Sequence, residues 1–84
     1  MARYDNALTE NYNKIHTTKL GIERIKRNLA LETDDVVQWC IRKIEQADSI
    51  TQEGKNWYVH TCESVITINA SSYTIITAHK RSTE

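Results

Sequence analysis

The sequence predicts an α+β fold: two or three N-terminal helices packed on one face of a three- to four-stranded antiparallel β-meander. Three observations predict it. Apolar residues recur at helical spacing as far as Ala47 and at strand spacing after Asp48. β-Branched and aromatic residues crowd the last third, as in Val65-Ile66-Thr67-Ile68 and Tyr73-Thr74-Ile75-Ile76-Thr77. The stretches between these strand-like runs are only a few residues long, too short for crossover helices, so neighbouring strands pair antiparallel.

The elements follow in order. Tyr4, Leu8 and Tyr12 are spaced i, i+4, i+8, which predicts a short peripheral helix within 1–13. Lys14-Ile15-His16-Thr17 reads as a link, and Thr17 or Thr18 can cap the next helix through its hydroxyl oxygen. Across 18–30, Ile22, Ile25 and Leu29 form an apolar stripe from which Arg24, Lys26 and Arg27 point away. Gly21 near its start either admits another segment closely or makes an imperfect first turn. Thr33 is the expected cap of the third helix, with Asp34 and Asp35 in its first turn, where the helix dipole favours anions. Val36, Val37, Cys40, Ile41, Ile44 and Ala47, extended by Trp39, give the broadest apolar stripe and the natural partner for a sheet.

Strands are expected at 49–51, 57–61, 65–70 and 73–79, separated by turns at Glu53-Gly54-Lys55-Asn56, Glu63-Ser64 and Ser71-Ser72. With Ser71-Ser72 as the turn, Ile68 faces Ile75, Ile66 faces Thr77 and Ser64 faces His79. Tyr73, Ile75, Thr77 and His79 then share one face. A one-residue slip would exchange the faces. The whole is expected to be one domain over 1–84, with a helical half at 18–47 and a sheet at 49–80.

Composition bounds the function. The chain has 84 residues, 39% of them hydrophobic, which suits one small domain that hides roughly 64% of its extended-chain surface. Ten isoleucines, four tyrosines and two tryptophans exclude wholesale disorder. Formal net charge is zero, but Lys14, Lys19, Arg24, Lys26 and Arg27 stand against Glu23 alone between 14 and 27. Such a local basic face can meet phosphates even in a neutral protein. The opening Met1-Ala2-Arg3-Tyr4-Asp5-Asn6 has no apolar run behind it, so no secretory signal or membrane contact is expected, and the expected compartment is the cytoplasm. Cys40 and Cys62 make no disulfide framework and are expected to be reduced.

Two glycines cannot build a phosphate-cradling loop, so no nucleotide cofactor is expected. His16, Cys40, His60, Cys62 and His79 are the metal-ligand types present, and no pair has C-x-x-C spacing. Although His60 and Cys62 would share a strand face, four convergent ligands are not indicated, and no metal is expected. What remains is a metal-independent set. RNA cleavage needs a base for the 2′-hydroxyl, an acid for the leaving oxygen and cations for the phosphorane charge. Histidine supplies either proton transfer near neutral pH. The catalytic candidates are therefore His16, His79, Lys55 and Thr77. Arg24, Lys26, Arg27 and Lys80 are the candidate phosphate contacts, and Tyr73 or Tyr58 could stack a base. The alternative function is a non-catalytic binding module acting through a homodimer, a cognate protein or RNA.

The stretches from His16 to Leu29, Gly54-Lys55-Asn56-Trp57-Tyr58-Val59 and Ile66 to Lys80 together resemble a family of short bacterial proteins known only as a domain of unknown function. The resemblance covers about residues 12–80. It implies a bacterial or mobile-element origin and no established activity. The order of helices before an antiparallel sheet is also similar to the superfamily of barnase, colicin RNase domains and RelE-type toxins. That resemblance implies a toxin-like or phage-defence ribonuclease. It would place Thr77 and His79 on the final strand, Lys55 on a loop before a strand, and His16 and Arg24 in the helical half.

Overall fold

A computed structural model describes residues 7–81. Helix α1 (Ala7–Glu10) and a 3-10 turn (Tyr12–Lys14) precede helix α2 (Lys19–Leu29) and helix α3 (Val36–Glu45). Strands β1 (Ser49–Glu53), β2 (Asn56–His60), β3 (Ser64–Asn69) and β4 (Ile75–Lys80) then form one antiparallel meander in the order β1-β2-β3-β4. The predicted first helix is thus split into a single turn and a 3-10 turn. Leu8 is buried and Tyr12 half-buried, as the spacing requires, whereas Tyr4 lies outside the described residues.

Helix α2 begins where Thr18 accepts the Gly21 amide at 3.0 Å. It ends at Ala30, which takes φ 55 so that its own N–H and that of Leu31 both reach the Lys26 carbonyl. Helix α3 departs from expectation at its start. Its cap is Asp35, which accepts the Gln38 amide at 3.2 Å, while Thr33 accepts the Asp35 amide one step earlier. A carboxylate at the cap meets both the orphan N–H groups and the helix dipole, which displaces the predicted Thr33 cap.

The core is continuous between helices and sheet. Ile25 and Leu29 of α2, and Val36, Cys40 and Ile44 of α3, pack with Trp57, Val59, Ile66, Ile68, Ile75 and Ala78. Leu8 and Ile15 belong to the same buried cluster. α2 runs beside β4, and Asn28 donates to the Ala78 carbonyl at 3.1 Å. Thr17 donates to the Ile75 carbonyl at 2.8 Å, and His16 pairs with the β4 approach, so this strand's outer edge is occupied. At the opposite edge β1 pairs only with β2, and its Thr51, Gln52 and Glu53 are exposed.

The β3–β4 register corrects the sequence expectation. Ile68 does face Ile75, but Thr67 faces Thr77, Ile66 faces Ala78, Val65 faces His79 and Ser64 faces Lys80. One residue, Ile76, is extra in β4 and forms a bulge. The bulge returns Ala78 to the core and sends Thr77 and His79 to the face away from the helices. Ile75 and His79 therefore do not share a face.

Candidate functional site: the uncovered face of the sheet

Register sorts the side chains into two sets. Trp57, Val59, Ile66, Ile68 and Ala78 face the helices. Across the other face run three rows. Ser49, His60, Val65 and His79 form one, Thr51, Tyr58, Thr67 and Thr77 the next, and Glu53, Asn56 and Asn69 the third. Thr67 is only 8% exposed although it faces outward, because Tyr58 and Thr77 flank it. On β2, β3 and β4 this face carries no carboxylate.

His60 and His79 both register with Val65, one from each side. Two strand spacings put their backbones about 10 Å apart. Neither ring has a hydrogen-bond partner among the described residues. His60 escaped the sequence reading as an acid–base candidate because its relation to His79 depends on the bulge. The only signal was its two-residue spacing from Tyr58, which places both on one strand face.

Along the β4 border, α2 adds cations. Asn28 fixes which side of the helix meets the strand edge, and Arg24 stands one turn earlier on that side, with Arg27 beside it. Both are exposed and carry no ion pair or hydrogen bond among the described residues. Lys26 points elsewhere and pairs with Asp34 at 2.8 Å. The hydrogen bond from Lys26 holds the Asp34 carboxyl below its ordinary range.

Other candidates lie apart. His16 sits beside Thr74, at the approach to β4. Five residues of strand, about 16 Å, separate that point from His79. These two histidines therefore do not meet, and an acid–base couple between them is not formed. His16 is instead held in place: its Nδ1 lies 2.9 Å from the Lys14 carbonyl and its Nε2 3.1 Å from Thr74 Oγ1. Lys55 occupies the β1–β2 turn, where its carbonyl accepts the Ala70 amide. Tyr73 is half-buried at φ 63, packed on Trp57 with ring centroids 5.4 Å apart and with Lys14 Nζ 5.5 Å from its ring. Its faces are engaged within the protein. Lys80, opposite Ser64 in register, belongs to the helix-covered side. Of the nine sequence candidates, Thr77 and His79 lie on this face and Arg24 and Arg27 are exposed on α2, the helix beside its β4 edge, while His16, Lys55, Tyr73, Lys26 and Lys80 lie elsewhere.

Among the described residues, no group of three or more His, Cys, Asp or Glu side chains could hold a metal ion. Cys40 is buried in the core, and burial pushes its thiol pKa up to about 12, whereas Cys62 is exposed. No described helix is long and apolar enough to cross a membrane.

A four-stranded antiparallel sheet with helices packed against one side defines a small α+β protein, and among the described residues its other face is the candidate site. The chain belongs to the family described as protein of unknown function (DUF3781), whose model matches residues 9–79. No solved structure matches it. The family resemblance read from the sequence is thus supported, and a relation to the nuclease superfamily is not shown.

Proposed function

We propose that this protein binds single-stranded RNA across the uncovered sheet face. The observation that carries the reading is the composition of that face. Tyr58, His60 and His79 offer rings for stacking, and Thr77 and Asn56 offer hydrogen bonds. Carboxylates are missing from β2–β4, and Arg24 and Arg27, unpaired among the described residues, stand on the helix beside β4. Unstacked bases need such rings and polar edges, and the backbone needs nearby cations.

The test is fluorescence anisotropy with labelled single-stranded RNA over a salt series. Arg24→Glu with Arg27→Glu should weaken binding about tenfold or more and reduce the salt slope by about 1.4. An unchanged affinity in a double variant with the parent's melting temperature overturns the reading.

One observation favours a second reading, cleavage without a metal. His60 and His79 flank Val65 from opposite strands, so a phosphodiester lying over Val65 would have an imidazole on either side. The same RNA, incubated in EDTA and resolved by length, separates the two readings. Intact RNA that remains bound supports binding alone. Fragments lost in both His60→Gln and His79→Gln establish cleavage.

A further inference from the structure

A separate feature lies on the opposite side of the sheet and does not depend on RNA. A half-open cavity of about 250 Å³ is lined by Leu29, Leu31, Trp39, Glu63, Ser64 and Lys80. It forms where the end of α2, the middle of α3 and the β2–β3 turn meet beside the last residue of β4. We infer that this cavity binds a small amphiphilic carboxylate, with its apolar body against Leu29, Leu31 and Trp39 and its anionic group at Lys80.

The charge pattern selects the ligand. Glu63 is already neutralised by Lys43, whose ammonium is 2.6 Å from its carboxylate and also lies 5.4 Å from the Trp39 ring centroid. That hydrogen bond holds the Glu63 carboxyl below its ordinary range, so it stays ionised and paired. Ser64 is satisfied inside the turn by Thr61, 2.8 Å away. Lys80 is the one lining residue with an unanswered charge among those described, and it is exposed. The lining is thus an apolar surface from α2, the loop after it and α3, with Glu63 answered by Lys43 from outside the lining and Lys80 left as its one unpaired charge among the described residues. An apolar cavity with one placed polar group is the usual form of a small-molecule site, and this volume is at its small end. A monocyclic aromatic or branched aliphatic carboxylate matches both size and charge. A nucleotide phosphate would meet one cation only and would leave the Trp39 and Leu31 walls unused.

Benzoate is the probe, with benzamide as its uncharged counterpart, followed by amide chemical shifts of the whole protein. Benzoate should shift Leu31, Trp39, Ser64 and Lys80 saturably with a dissociation constant in the millimolar range. Benzamide should bind at least about tenfold more weakly. Lys80→Met should lose the same factor while Lys80→Arg retains binding, and neither substitution should alter the melting temperature because the side chain is exposed. Equal binding of benzoate and benzamide, undiminished binding to Lys80→Met, or shifts that never saturate would overturn the assignment. The RNA experiment is indifferent to Lys80, so the two proposals fail separately.

Discussion

Ala30 shows how a single backbone angle is traded against a cap. Its φ of 55 lets two amides reach the Lys26 carbonyl, but a side chain is disfavoured there. Ala30→Gly should therefore stabilise the fold by about 0.5–1 kcal/mol, visible as a higher melting temperature. The two cysteines divide on similar local grounds. Cys40 is closed in the core with its thiol pKa pushed up to about 12, and Cys62 is exposed on the β2–β3 turn. A disulfide-exchange reagent at neutral pH should modify one thiol in the native protein and two after denaturation, because only Cys62 is accessible to it. Two fast-reacting native thiols would place Cys40 outside the core. The core role of Cys40 is legible from its helical stripe, whereas the positive φ of Ala30 and Tyr73 is not, since neither residue type signals a left-handed turn.

At the scale of elements, Gly21 has a reason that propensity alone misses. A Cβ at Gly21 would collide with Thr17 Oγ1, and that hydroxyl is committed to the Ile75 carbonyl. Gly21→Ala gains about 1 kcal/mol of helix propensity and loses the seat of this bond. The net effect should be a loss of about 1–2 kcal/mol. A double-mutant cycle checks the cause: adding Thr17→Ala should make the alanine at 21 harmless or better. Had Gly21 been only a weak first turn, the single variant would be stabilising. The elements themselves were largely legible because each rests on a local signal: helical spacing in α2 and α3, alternation in β2 and β3, and glycine at φ 62 in the first hairpin turn. The bulge at Ile76 was not. Two adjacent isoleucines fit either register, and the choice falls to Ala78 and Ile75, which together fill the core only if one residue is skipped. That skip decides which side His79 occupies, so the candidate site was only partly legible.

Across the whole molecule, ion pairs tie separate layers at the periphery. Lys26–Asp34 joins α2 to the loop before α3, Lys43–Glu63 joins α3 to the β2–β3 turn, and Arg81 reaches both Asp48 and the Thr61 carbonyl. None of these pairings follows from sequence spacing, since each needs the tertiary fold to bring distant chain segments together. They set the sign of the acid response. Asp34 and Glu63 both have folded-state carboxyl pKa values held below their ordinary ones by a lysine hydrogen bond. In the acid range the unfolded chain therefore binds more protons than the folded one at these sites. Their stabilisation is fully present above the ordinary carboxylate range and is lost as pH falls through the lowered folded-state values. Exposed pairs of this kind are individually weak and screened by salt, so the effect should be small at each site and shared. Melting temperature measured from about pH 6 down to about pH 3 at low salt should fall less steeply in Glu63→Gln than in the parent. The combination with Asp34→Asn should flatten the acid limb further, and added salt should narrow the difference between parent and variants. Parallel acid limbs in parent and double variant would mean that the pairs between Lys43 and Glu63 and between Lys26 and Asp34 contribute no pH-dependent stability.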